Sequence, residues 1–446
     1  MSHAYALPAA RRLTPVLPVV AVIALLALPV APGVEGGASP ADAASGVVVL
    51  CCAIRLLRQR RRLLSRTAAV VLGLPVAGFA VAAAGATTSG AGLTGFARWL
   101  QIFVLVPAAV LLLVRDRRDV RLLAWSMVAL AVWQGAVGVH QYATGTGASY
   151  MGQEIRAVGT FGPGDIMGMA TVVAFGLVCA VGLALAPGSV RQRVWAVVCA
   201  LLLVVPLAVS FSRGTWIATV VACGAQLLLA GRRRAVVAGA VVAALAVILV
   251  GGFGVGSTLL QERVSSIGQV GDAPDQSVTD RYTMWAAAAG MWRERPLTGV
   301  GLKGFPEHRD GHASLALSSG SDIEGAGTEY QKQPLLSPHN IYLLVLSEQG
   351  LTGLLTLAGS WLALLVLGLR RLLRALRARD AGDAPAAESS LDCGLVACGL
   401  LIWQLINFAY SDIGGPVAVI TGVCLGLTAW WALGDSGQIS EEAAPR

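Results

Sequence analysis

"SPHNIYLLVLSEQGLTGLLTLAGSWLALLVLGLRRLLRALRAR", residues 337–379, holds a polar boundary, an apolar run and a basic stop in one continuous stretch. The apolar part, about 351–369, carries no charge. At 1.5 Å per residue it reaches across roughly 30 Å of hydrocarbon. The arginines of 370–379 follow at once, the pattern of a segment that ends in the cytoplasm. Upstream, the chain turns apolar abruptly at Ile341, leaving His339 between Pro338 and Asn340 at the lip. A histidine is costly at a membrane boundary unless it has a use there.

The rest of the chain repeats this alternation. Of 446 residues, 56% are hydrophobic and 13% charged, against about 25% charged in a soluble domain. The depletion is spread along the chain, so the sequence predicts an all-α polytopic membrane protein of about twelve transmembrane helices. The net charge of +8 does not point to nucleic acid, because the arginines fall in short clusters between apolar segments. The eight cysteines, Cys51, Cys52, Cys179, Cys199, Cys223, Cys393, Cys398 and Cys424, lie in or beside apolar runs without CxxC spacing. They read as small buried apolar residues.

The first apolar run, about Leu13 to Val34, precedes "ADA" at 41–43, which resembles a signal-peptide cleavage site. Its length favours a retained helix. A weak second segment, about 44–57, leads into "RLLRQRRRLLSR" (55–66). Further segments follow at about 67–85, 93–114, 122–139, 166–186, 194–210 and 215–230, with a ninth ending near Val255. After the long hydrophilic stretch 256–338 come 351–369, 391–410 and 415–433. The expected domains are residues 1–255 with helices one to nine and 256–338 as an extracytoplasmic loop bearing an amphipathic helix. Residues 339–433 carry the Pro-His-Asn motif and the last three helices, and 434–446 form a cytoplasmic tail. With this parity the loops 55–66, 115–121, 191–193, 232–234 and 370–379 share one side, so both termini are expected inside.

Several basic residues remain that topology does not explain: Arg98, Arg156, Arg213, Arg281, Arg293, Arg295 and Lys303, with Arg263, Arg309 and Lys332 read as loop solubility. Arg213 sits in "SFSRG" (210–214), a tight hairpin tip where Gly214 admits close backbone approach. Ser212, Arg213 and Gly214 at a helix start suit an anion; the plainer reading is an arginine anchoring the hairpin at the headgroups. Arg281 opens "RYTMW", and Met284, Trp285, Ala288 and Met291 recur at helical spacing. They predict a helix at the membrane surface from Arg281 to Pro296. Arg98, inside an apolar segment, is expected to face the bundle interior or water.

The pieces "SFSRG", "RYTMW…RPLTGVGLKGF" and "PHNIYLLVLSEQGLTGLL", in this order around a long loop, resemble the O-antigen ligase family of bacterial membrane glycosyltransferases. The resemblance implies a GT-C-like membrane fold and transfer of a glycan from a polyprenyl diphosphate carrier to an acceptor hydroxyl, on glycan, lipid or protein. It implies that Arg213, Arg281 and His339 form the functional trio at the outer face of the bacterial plasma membrane. A fourth family feature is matched in part by "RAVGTFGPGD" (156–165): Arg156, Gly159 and Phe161 fit, while Gly164 and Asp165 stand where Pro-Asn is expected.

That chemistry needs positive charge on a departing diphosphate, which two arginines supply, and a base for the acceptor hydroxyl, which His339 suits. Asn340 re-caps the chain after Pro338 and is expected, with Arg213, Arg281, Ser212, Gly214 and Arg156, to bind substrate, while Glu348 is expected to orient a partner or to serve as the alternative base. No cofactor or metal is expected. His308, Asp310 and His312 are the metal alternative, but Gly311 argues against a helix there, and Asp272, Asp275 and Asp280 lack a DxD spacing. The competing class is a solute transporter, which should show interrupted helices and charges near the midplane.

Overall fold

The computed structural model describes residues 14–30, 39–59, 64–150, 155–162, 165, 167–231, 276–317, 321–325, 331–333, 335–381, 391–411, 414–415 and 417–434. The expected ninth helix, Arg232 to Arg234, Arg263 and the C-terminal tail lie outside these. The helices are α1 (Leu17–Leu25), α2 (Pro40–Gln59), α3 (Arg66–Ala84) and α4 (Ser89–Leu100). The last continues through a π-turn (Gln101–Leu105) into α5 (Val106–Leu113). Then follow α6 (Arg117–Thr144), α7 (Gly168–Leu185), α8 (Val190–Ala208), α9 (Arg213–Ala230), α10 (Gln276–Glu294) and α11 (Phe305–His312). The chain closes with α12 (Ile341–Asp380), α13 (Leu391–Asn407) and α14 (Ala418–Leu433).

Eight of these segments are long and apolar enough to cross a membrane, with α4 through α5 counted as one; α13 and α14 are apolar but shorter. The chain is therefore a helical, multi-pass membrane protein. In α7, 78% of the spanning window is buried, against 22% in α2 and in α8. So α7 lies inside with α13 and α14, while α2 and α8 face outward. Among helices already surrounded by apolar solvent, close packing and polar contacts take the place of the hydrophobic effect.

Two boundaries differ from expectation for clear reasons. The first apolar run holds a shorter helix, Leu17–Leu25, packed into the bundle: Val22 and Ile23 are buried, and Gln134 donates to the Leu26 carbonyl at 2.8 Å. The "ADA" stretch forms the first turn of α2. There Asp42 is buried, accepts from Ser39 (2.7 Å) and pairs with Arg98. The charge inside the fourth segment is thus neutralised by a carboxylate of the second, and its guanidinium also donates to the Gly415 carbonyl (3.1 Å).

The basic loops meet at one end of the bundle. Asp392, buried at the start of α13, receives Arg117 Nε at 2.9 Å and Arg121 Nε at 3.0 Å. Arg117 also donates to the Pro187 carbonyl (3.0 Å), and Arg121 to Gln192 (2.8 Å). Arg371 stacks on Trp431 (4.9 Å) and donates to the Trp431 and Gly434 carbonyls. At the other end a three-stranded antiparallel ribbon forms from β1 (Ala148–Tyr150), β2 (Ser321–Gly325) and β3 (Gln331–Gln333). It pairs Ala148 with Gly325 and Ser321 with Gln333, tying the loop after α6 to the stretch before His339. Period-two signals over three to five residues are too short to read from sequence.

Candidate functional site

Backbone contacts gather the motif residues at the end opposite the basic loops. The tip between α8 and α9 is shaped by Phe211, which has a left-handed φ of +49°, and by Ser212. Ser212 Oγ caps α9 by accepting from Thr215 N (3.4 Å) and donates to Thr215 Oγ1 (2.7 Å). Arg213 is the first residue of the helix. A Cβ on Gly214 would lie 2.9 Å from Tyr410 Cβ, so only glycine lets the tip close on the turn after α13.

That turn carries the link to the histidine. Phe408 offers its carbonyl to Ile341 N at 2.8 Å. Its ring sits 4.8 Å from Trp361 and 6.3 Å from Phe103, in an aromatic cluster that fixes the turn. Tyr342 Oη donates to the Leu405 carbonyl (2.6 Å). Asn340, as the sequence suggests, caps α12 by accepting from Leu343 N (3.1 Å). His339 precedes it with φ +49°, a conformation costing a non-glycine residue about 1–2 kcal/mol.

On the other side of His339, Trp285 Nε1 donates to the Pro338 carbonyl at 2.8 Å. Trp285 lies one helical turn beyond Arg281 in α10, so the helix bearing Arg281 is joined to the histidine motif. The sequence places Arg281 at the start of this helix, but α10 begins at Gln276; no glycine or proline lies between them to stop it. Nor does its apolar face rest on lipid. Met284, Ala287, Ala288 and Met291 are buried in one cluster with Val300, Phe305, Ile341 and Val345, because α12 offers a protein surface.

Arg156 joins through its neighbour. Ala157 N donates to the Val209 carbonyl (3.3 Å), and Arg156 exchanges both backbone hydrogen bonds with Ala148 at 3.0 and 2.8 Å. Gln141 holds the same loop, accepting from Val158 N and Gly159 N and donating to the Gly159 carbonyl. Of the missing Pro-Asn pair, Gly164 lies outside the described residues, while Asp165 packs beside Gly415.

Glu348 is placed elsewhere. Buried in α12, its Oε1 accepts from Phe305 N (3.1 Å), so it clamps the "GVGLKGF" turn rather than meeting His339. Just beyond it α12 breaks: Gly350 has φ +64° and ψ −163°. A side chain there would collide with Leu297 backbone. Such a break leaves carbonyls and N–H groups unpaired on either side, and residues 296–301 pair them. Val300 N and Gly301 N donate to the Ser347 and Glu348 carbonyls, each at 2.9 Å, while Leu351 N and Thr352 N donate to Pro296 (2.9 Å) and Leu297 (3.1 Å). The apolar helix read from 351 is the second half of a longer, interrupted one.

α11 forms despite Gly311, which falls at its last turn, where the cost of glycine is small. His312 Nε2 meets Glu294 at 2.9 Å. His312 is raised above the usual histidine value, first by its bond to the His308 carbonyl and then by Glu294. Among the described residues no three His, Cys, Asp or Glu side chains are grouped to hold a metal ion. Arg309, read as a solubilising charge, donates to the Leu335 carbonyl. Sequence reasoning missed Trp285 as a contact, along with Tyr410 and Gln141. Gln134 and Gln141, seven residues apart on one face of an apolar helix, were the available signal.

The family model described as O-antigen ligase matches residues 195–358. Over that stretch the chain is similar to the O-antigen ligase family. The matched stretch runs from within α8 to beyond the Gly350 break in α12 and takes in Arg213, Arg281, His339 and Glu348; Arg156 precedes it. That similarity supports glycan transfer of the ligase or polymerase type. No curated protein matches the chain.

Proposed function

We propose that the protein transfers or polymerises a glycan from a polyprenyl-diphosphate carrier onto an acceptor hydroxyl at the outer face of the bacterial plasma membrane. The observation that carries this is the convergence of four stretches through backbone contacts: 156–157 on Val209, Gly214 on Tyr410, Ile341 on Phe408, and Pro338 on Trp285. It brings together the segments bearing Arg156, Arg213, Arg281 and His339, away from the basic loops. By the positive-inside rule that end lies outside, with both termini in the cytoplasm.

In this reading His339 takes the proton of the acceptor hydroxyl. The acceptor oxygen forms a bond to the anomeric carbon as the bond from that carbon to the diphosphate oxygen breaks, and the diphosphate leaves with the electron pair. Arg213 and Arg281, with Ser212 and Gly214 at the α9 start and Arg156 nearby, balance the negative charge on the leaving group. Asn340 and Glu348 position: one caps the helix behind the base, the other holds the 299–305 turn. The reaction proceeds without a metal or cofactor.

The transporter alternative draws on one observation, the interrupted α12. Its exposed backbone ends are already bonded to residues 296–301 rather than arranged around a solute, which favours the transferase. The deciding assay follows glycan transfer from a purified lipid-linked donor in proteoliposomes, with chelator present. Turnover that His339→Ala abolishes, with an acidic limb in the wild-type rate as the base protonates, supports the proposal. Turnover that survives His339→Ala, or that stops with chelator, counts against it.

A further inference from the structure

We propose that Trp285 is a positioning residue for His339; this rests on reading His339 as the base. The role acts through one peptide plane, the bond between Pro338 and His339. Its carbonyl accepts from Trp285 Nε1 at 2.8 Å, and its N–H donates to Ser337 Oγ at 3.2 Å. On the far side of His339 the chain is fixed again, by the Asn340 cap and by Ile341 N on the Phe408 carbonyl. With the preceding plane pinned at both ends and the following residue pinned in the helix cap, φ of His339 has no freedom. It is held at +49°, a region disfavoured for a residue with a Cβ.

The direction of the imidazole follows from that φ. Release of the Pro338 carbonyl lets the plane turn and His339 relax to negative φ, which changes the direction of the ring. Trp285 is suited to hold it. Its ring stands edge-on to Tyr282 at 5.6 Å, and its helix is anchored by the buried Met284, Ala288 and Met291. The indole nitrogen is therefore delivered by a rigid element. The same helix carries Arg281 one turn away, so the hydrogen bond also sets the register between the donor-binding arginine and the base.

Trp285→Phe in the full-length protein, in proteoliposomes, keeps an aromatic ring on the helix and deletes the N–H. The expected result is a fall in kcat of roughly 10–100-fold with KM for the lipid-linked donor held within about twofold and an unchanged melting temperature. Ser337→Ala, which frees the other end of the same plane, should lower kcat in the same direction by less, and it carries the test if Trp285→Phe does not fold. A raised KM with unchanged kcat in Trp285→Phe would assign the tryptophan to the donor site and overturn the proposal; wild-type kinetics in both variants would do the same. His339→Ala run in parallel separates the two readings. If it is inactive while Trp285→Phe is normal, only the positioning role fails; if it is active, the base assignment itself is wrong.

Discussion

The two ends of the bundle both gather arginines, and different contacts build each end. At the basic end side chains hold the backbone: Arg117 and Arg121 close on buried Asp392, and Arg371 spans Trp431 and Gly434. At the other end backbone and aromatic contacts hold the segments that present Arg156, Arg213, Arg281 and His339.

The sharpest way to break this comparison is to exchange the two kinds of loss. His339→Ala should lower turnover by about 10²–10⁴-fold with the melting temperature unchanged. Asp392→Ala should do the reverse, destabilising by about 3–5 kcal/mol by leaving two arginines without their carboxylate while turnover per folded molecule persists. Unfolding in the first, or inactivity of the folded second, would erase the distinction.

Arg213→Lys and Arg281→Lys keep the charge and lose the planar fork. A drop of about 10–100-fold in transfer, corresponding to one charge-assisted hydrogen bond, is expected in each. Full activity in Arg213→Ala would remove the anion site from the tip. Gly350→Ala places a Cβ against Leu297 and forces a non-glycine residue to φ +64°. It should cost about 1–3 kcal/mol and appear first as faster hydrogen exchange in residues 296–301.

The smallest effect is expected at His312. Its folded value is raised, so whatever its pairing with Glu294 contributes is present below the ordinary histidine range and fades as pH rises through the folded value. Both side chains meet solvent, so the contribution is modest. Amide protection in α11 should fall slightly on raising the pH past that point, and Glu294→Gln should flatten the response. Protection that rises with pH would show that the pair does not hold the helix.

Much of the fold was legible because a membrane imposes its own code: apolar length, basic stops and caps such as Ser212 and Asn340 are local properties of the chain. Arg213, Arg281 and His339 were legible through motifs. Asp42 was not paired with Arg98, because a partner 56 residues away leaves no periodic trace. Glu348 illustrates the same limit, since nothing in its spacing announces that its carboxylate accepts from Phe305 N.

What the sequence alone determined is the helical membrane class, the alternation of basic loops and the motifs around Arg213, Arg281 and His339. Each depends on residue type and near neighbours. Tertiary structure decided that α12 is broken at Gly350 and mended by residues 296–301, that α10 packs on protein instead of lipid, and that Trp285 reaches Pro338. Those follow from backbone groups and side chains meeting across distant stretches of chain, where a hydrogen bond is satisfied by whatever the packing brings near.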